Sequence, residues 1–114
     1  MKHSMKLQAA PFEMIGRGQK TIELRLYDEK RKKISVNDEI EFVRMDDNTA
    51  TLRCRVVALH PFSCFRELYE ALPLLKCGYT LQDVESASPT DMERYYSKAE
   101  QEKYGVVGIE LVLL

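Results

Sequence analysis

The last ten residues, GVVGIELVLL from Gly105 to Leu114, constrain the fold most. Only Glu110 interrupts the apolar and glycine residues of this run. Spanning a bilayer takes about 20 apolar residues, and no run in the chain approaches that length. A short, strongly apolar run that lacks the alternation of a half-exposed strand reads as a central strand of a sheet. Gly105 and Gly108 permit a bend in it or a close approach of backbone. The rest of the chain must therefore supply its flanking strands.

Three segments qualify. From Thr21 the pattern has period two, with Ile22, Leu24 and Leu26 alternating with Thr21, Glu23 and Arg25. The apolar face is expected to enter the core. Ile40 and Phe42 alternate with Glu39 and Glu41, and TLRCRVVAL places Leu52, Cys54 and Val56 opposite Arg53 and Arg55. The turn residues Asp46, Asp47 and Asn48 join these two into a hairpin over 39–59. Lys6 to Ala9 is a short candidate for a first strand. Asp28 to Lys33 is too charged for a core and reads as a loop, Asn37-Asp38 is a turn signal, and His60-Pro61 is expected to break the hairpin's second arm.

Short helices fill the connections. Pro11 suits a first helical turn, Phe12 and Ile15 recur three apart, and Gly16 and Gly18 end that helix. Ser63 or Cys64 starts another, with Phe65, Leu68, Tyr69 and Leu72 on its apolar stripe and Pro73 as its stop. Gly78 marks a bend. Leu81 to Glu85 predicts one helical turn. Thr90 with Glu93, and Ser97 with Glu100, have the spacing of a capping box. About five strands with three or four short peripheral helices suit an α+β fold built on a small, partly closed β-barrel. The 114 residues, with no repeat or low-complexity segment, make residues 1–114 a single domain.

Composition narrows the function. With 45% hydrophobic and 31% charged residues the balance is that of a globular chain. The N-terminal MKHSMKLQAAPF has no secretory core, so an intracellular, cytoplasmic protein is expected, with no membrane partner. Cys54, Cys64 and Cys77 are too scattered for a zinc or redox motif and read as reduced core thiols. His3 reads as a tail residue and His60 as a turn residue. No metal or other cofactor is expected. Net charge is −1, yet residues 17–33 hold seven basic against three acidic side chains. Such a patch attracts phosphate.

The stretch GQKTIELRLYDEKRKK sets Lys20 beside Thr21, Glu23 and Arg25. On a solvated face these four mean nothing further. In a cleft, Glu23 and Arg25 hold each other, and a partly buried Lys20 can act as a base beside the Thr21 hydroxyl. Spacing alone leaves both readings open. Tyr95 or Tyr96 could stack on a base, and Tyr27 could reach a cleft rim.

GQKTIELRLYDEKR resembles the signature of the ASCH domain family, a branch of the PUA-like β-barrel superfamily. PFEMIGRG is similar to the helix before that signature, and VNDEIEFVR to the strand after it, with Asn37 in place of a glycine. FSCFRELYEALPL, DMERYYS and YGVVGIELV resemble later blocks of a bacterial subgroup. The resemblance implies a PUA-like barrel whose cleft binds RNA or a nucleotide-like ligand. The ligand set it suggests is Gly18, Lys20, Glu23, Arg25, Tyr27, Arg53, Tyr96 and Ser97. One small branch hydrolyses N4-acetylcytidine with a lysine, a threonine and a glutamate. Lys20 matches that lysine, but Glu23 stands where the branch has its threonine, three residues on. Thr21 is adjacent instead, and Glu85 is a candidate for the glutamate. The alternative is thus an amidohydrolase of a modified nucleoside with Lys20, Thr21, Glu23 and Glu85 as its catalytic set.

Overall fold

The computed structural model describes residues 1–114. Its strands are β1 (Lys2–Leu7), β2 (Ile22–Leu26), β3 (Glu39–Arg44), β4 (Asp47–Phe62) and β5 (Val106–Leu113). The helices are α1 (Ala9–Gly16), α2 (Glu29–Lys32), α3 (Phe65–Ala71) and α4 (Lys98–Tyr104), with 3-10 turns at Leu74–Lys76, Val84–Ser86 and Pro89–Arg94. The sheet order is β1-β3-β4-β5-β2. Only β1 and β3 are parallel. The sheet curls into a half-barrel, the α+β architecture expected from the pattern of elements. Its two edges, β1 and β2, share no strand ladder.

Period two on both faces explains β5. Val107, Ile109 and Leu111 join Met5, Leu7, Ile40, Phe42, Cys54 and Val56 in a core inside the curl, which Phe12 and Ile15 of α1 close at one end. Val106 points the other way, into a second core with Phe65, Leu68 and Tyr69 of α3. At Gly108, a Cβ would lie 2.7 Å from Leu72 Cδ1, so the missing side chain is what lets the end of α3 lie on the sheet.

Strand β2 buries its apolar face as expected, but in the second core rather than inside the barrel. Its Glu23 and Arg25 stand opposite Ile109 and Val107, and so share the inner face of the half-barrel. Ile22, Leu24 and Leu26 face outward into the α3 core. Because β2 is covered on both sides, its apolar face had no need to be the inner one.

Other boundaries also move. The first strand is Lys2–Leu7, not Lys6–Ala9, because Met5 and Leu7 are its core-facing residues and α1 already begins at Ala9. The charged 28–33 stretch holds one helical turn, α2, whose N-cap Asp28 accepts from the Arg31 amide at 3.1 Å. Strand β4 runs through His60-Pro61. Its pairing with β3 ends at Arg55, so its far half bonds to β5 alone, and a proline there interrupts no second ladder. The third 3-10 turn is capped by Ser88 with Asp91, rather than by Thr90 with Glu93, because Pro89 occupies its first position. The turn expected at Leu81–Glu85 forms at Val84–Ser86. The Ser97–Glu100 capping box is present.

Candidate functional site

Closing the barrel would require β1 to meet β2. Instead, Arg25 spans the seam and donates through Nη2 to the Lys6 carbonyl at 2.9 Å. A cleft of about 560 Å³ opens along this seam. The walls come from α1, from the end of β1 and from the segment that carries the 3-10 turns.

At its floor lies Glu23, only 4% exposed. One carboxylate oxygen is 2.9 Å from Lys20 Nζ, and the other accepts from Arg25 Nε at 2.7 Å. Burial alone pushes the Glu23 carboxyl up, but the two cations outweigh it and hold it below the usual range. For Arg25 the same pairing, against burial, raises an already high value. Gly78, at φ +115°, lies against Lys20, and a Cβ there would be 3.4 Å from the Lys20 stem. The cleft also touches Cys77, whose thiol burial pushes up to about 11.

Aromatic rings form much of the wall. Tyr96 stacks on Phe65 with centroids 6.2 Å apart, and Tyr95, 54% exposed, stands at the mouth with the Arg94 guanidinium 6.0 Å from its ring. Tyr69 and Tyr79 bring their hydroxyls within 2.7 Å, and Tyr79 donates to Asp91 Oδ2 at 2.6 Å.

Of the residues singled out in the sequence, Lys20, Glu23, Arg25 and Tyr96 meet here. Six do not line the cleft. The Thr21 amide bonds the Lys76 carbonyl just before β2 begins, and its side chain stays outside. Tyr27 packs against the inner core, with Lys32 over its ring. Arg53 pairs with Glu39 on the outer hairpin face. Ser97 is spent on its cap, Glu85 is exposed on a 3-10 turn, and Gly18 serves a positive-φ turn after α1. The tyrosine–Asp91 chain was missed. Its members lie 10 and 12 residues apart along the chain, and only Asp91 at the third position after Ser88 left a local signal. No group of three or more His, Cys, Asp or Glu side chains could hold a metal. No helix is long and apolar enough to cross a membrane.

The family model of the ASCH domain matches residues 5–114. The chain belongs to the ASCH domain family. Two solved structures are similar to this ASCH domain along its whole length. The crystal structure of hypothetical protein PH0355 is 32% identical with a TM-score of 0.85, and each chain covers 100% of the other. The solution NMR structure of protein PF0455 from Pyrococcus furiosus is 35% identical with a TM-score of 0.75, over 100% of this chain and 98% of that one. No curated protein matches the chain. The seam cleft is thus set into an ASCH fold, with Lys20, Glu23 and Arg25 supplying its floor.

Proposed function

We propose that this ASCH domain is a binding module whose cleft takes a nucleobase, carried by RNA or by a nucleotide-like ligand. The observation that carries this reading is Glu23, held dry between Lys20 and Arg25 at the foot of a tyrosine-walled cleft. A buried ion triad is no requirement of folding, since apolar residues of similar volume are often as stabilising. It does suit a polar ligand edge. Lys20 has three N–H groups and gives one to Glu23. The volume of about 560 Å³ fits a base with its sugar, within the ~300–1,000 Å³ of small-molecule sites. Aromatic faces suit unstacked bases, and Lys6 and Arg94 add positive charge for phosphate.

Titration with nucleosides and short single-stranded RNAs over a range of salt tests this. Affinity for RNA should fall with salt, by roughly 0.7 log units per tenfold for each phosphate contact. Lys20→Ala should cost about tenfold or more in affinity, as loss of a charge-assisted hydrogen bond does. It should leave folding intact, because Glu23 keeps Arg25. Absence of binding at low salt rejects the reading.

The Lys20–Glu23 contact of 2.9 Å between two largely buried side chains also favours a second reading, hydrolysis of an acylated nucleoside such as N4-acetylcytidine. With Thr21 and Glu85 outside the cleft, the nucleophile in that case is water. Release of acetate and cytidine at micromolar enzyme, abolished in Lys20→Ala, supports it, and no release rejects that substrate.

A further inference from the structure

The cleft has a second polar group that neither reading uses. Tyr69, Tyr79 and Asp91 all line it and form one chain, with 2.7 Å between the two hydroxyls and 2.6 Å from Tyr79 to Asp91 Oδ2. The same carboxylate oxygen accepts the Ser88 amide at 3.1 Å, as part of the cap of the third 3-10 turn. An ionised carboxylate has no proton to give. Tyr79 must therefore donate to Asp91, and it has only one proton. In the contact between the two hydroxyls, Tyr79 is left as the acceptor and Tyr69 as the donor. Both protons are then committed inside the wall, and both phenolic oxygens keep lone pairs. The Tyr69–Tyr79 pair can accept hydrogen bonds but cannot give one.

The floor, by contrast, offers free donors. Lys20 holds N–H groups beyond the one on Glu23, and Arg25 uses Nε on Glu23 and one Nη2 hydrogen on Lys6. Both Glu23 oxygens already face cations. We infer that the cleft is polarised, donor at Lys20 and Arg25 and acceptor at Tyr69 and Tyr79, and that it selects planar ligands carrying both a carbonyl-type acceptor and an N–H donor. Ligands with the acceptor alone leave the Tyr69–Tyr79 pair without a partner from the ligand. A site built to hydrogen-bond one group rejects the analogue that lacks it, because the buried partner loses its bond to water without replacement. This deepens the proposed function, whose cleft it takes as the site.

The test pairs ligands that differ by the donor. Acetamide against N,N-dimethylacetamide, followed by chemical shifts of the tyrosine rings, needs no nucleobase. 1-Methyluracil against 1,3-dimethyluracil asks the same of a base. The wild type should favour the N–H ligand about tenfold or more in each pair that binds. Asp91→Asn removes the obligatory acceptor, so the chain direction is released and the preference should shrink. Tyr79→Phe, which frees the Tyr69 proton to enter the cleft, should shrink it too. A steric penalty from the added methyls would persist in both variants. Equal binding of the amide pair by the wild type, a preference unchanged in Asp91→Asn and Tyr79→Phe, or no response of Tyr69 and Tyr79 to acetamide overturns the inference. Discrimination between the amides without binding of either uracil upholds the polarity and rejects the nucleobase reading instead.

Discussion

Two carboxylates in this protein each sit between two cations on a strand of period two, and only one of them is in a cleft. On β2, Glu23 lies between Lys20 and Arg25, with side-chain exposures of 5%, 11% and 13%. On the hairpin's outer face, Glu39 lies 2.9 Å from Arg53 and 3.6 Å from Arg55, with exposures of 21%, 55% and 40%. The residue types and strand pattern are alike, and the distances are close. The difference is what lies over them. Glu23 points into the half-barrel and is roofed by the 3-10 segment, whereas Glu39 lies on the outer face beside two exposed arginines. Pairing makes a salt bridge in both places, but only cover removes water and turns the pair into a floor on which a ligand's polar edge could compete.

The sharpest way to break the comparison is to delete each carboxylate. Glu23→Ala leaves two cations in a site from which water is largely excluded. Removing one partner of a buried pair costs about 3–5 kcal/mol. For a domain of this size that is a large fall in melting temperature. Glu39→Ala frees two arginines that already reach solvent, and its melting temperature should fall far less. Glu23→Ala combined with Arg25→Ala should recover part of the loss, so the cycle gives a positive coupling energy. Equal melting temperatures for Glu23→Ala and Glu39→Ala would reduce the Lys20–Glu23–Arg25 group to a surface stripe.

Two glycines extend the comparison to smaller effects. Gly78 holds φ +115° with the Lys20 stem 3.4 Å from where a Cβ would lie, so Gly78→Ala strains the backbone beside Lys20. The strain costs about 1–3 kcal/mol. Ligand affinity should fall further than the stability loss explains, because relief of that strain moves the backbone against which the Lys20 stem lies. Gly16 ends α1 on the hairpin side, where a Cβ would meet Leu52 at an ordinary 3.6 Å. Gly16→Ala should be neutral in both stability and affinity. A Gly78→Ala variant with wild-type affinity would remove Lys20 from the binding floor.

How much of this could be read from the chain follows the same line. Local patterns carried β2, the β3–β4 hairpin, α1, α3 and the Ser97 cap, because periodicity and capping are set by neighbours in sequence. They also singled out Lys20, Glu23 and Arg25, which sit within six residues. Local signals misled where the deciding partner is distant. Pro61 reads as a breaker until β4 is known to have lost β3 as a neighbour there. Thr21 shares the parity of Glu23 and Arg25, yet it precedes the strand, so parity does not carry it into the cleft. Arg53 and Tyr27 could be placed only once the sheet order was known. The Tyr79–Asp91 bond joins two irregular turns and has no periodic signature at all.

Acid offers the finest discrimination between the two carboxylates. The folded Glu23 carboxyl lies below its ordinary value of 4.5, despite a burial effect that by itself would raise it. A lowered carboxylate stabilises the fold fully above its unfolded value, and that stabilisation is lost as pH falls through the folded one. The wild type should therefore lose stability as pH drops below about 4.5, and Glu23→Gln, which has nothing there to protonate, should follow a flatter curve. Glu39 is also held low, chiefly by its hydrogen bond from Arg53. Its pair is exposed, so added salt should erase the difference between Glu39→Gln and the wild type while sparing that of Glu23→Gln. A remaining acid limb should survive in both variants, since Asp38, bonded by His3, the Ser35 amide and the N-terminus, is lowered from 3.8 to about 2. Urea midpoints measured from neutral pH to about pH 3, with and without salt, check all three expectations. Parallel curves for the wild type and Glu23→Gln would mean that Glu23 titrates like a solvated carboxylate, and the roofed floor of the cleft would not exist in solution.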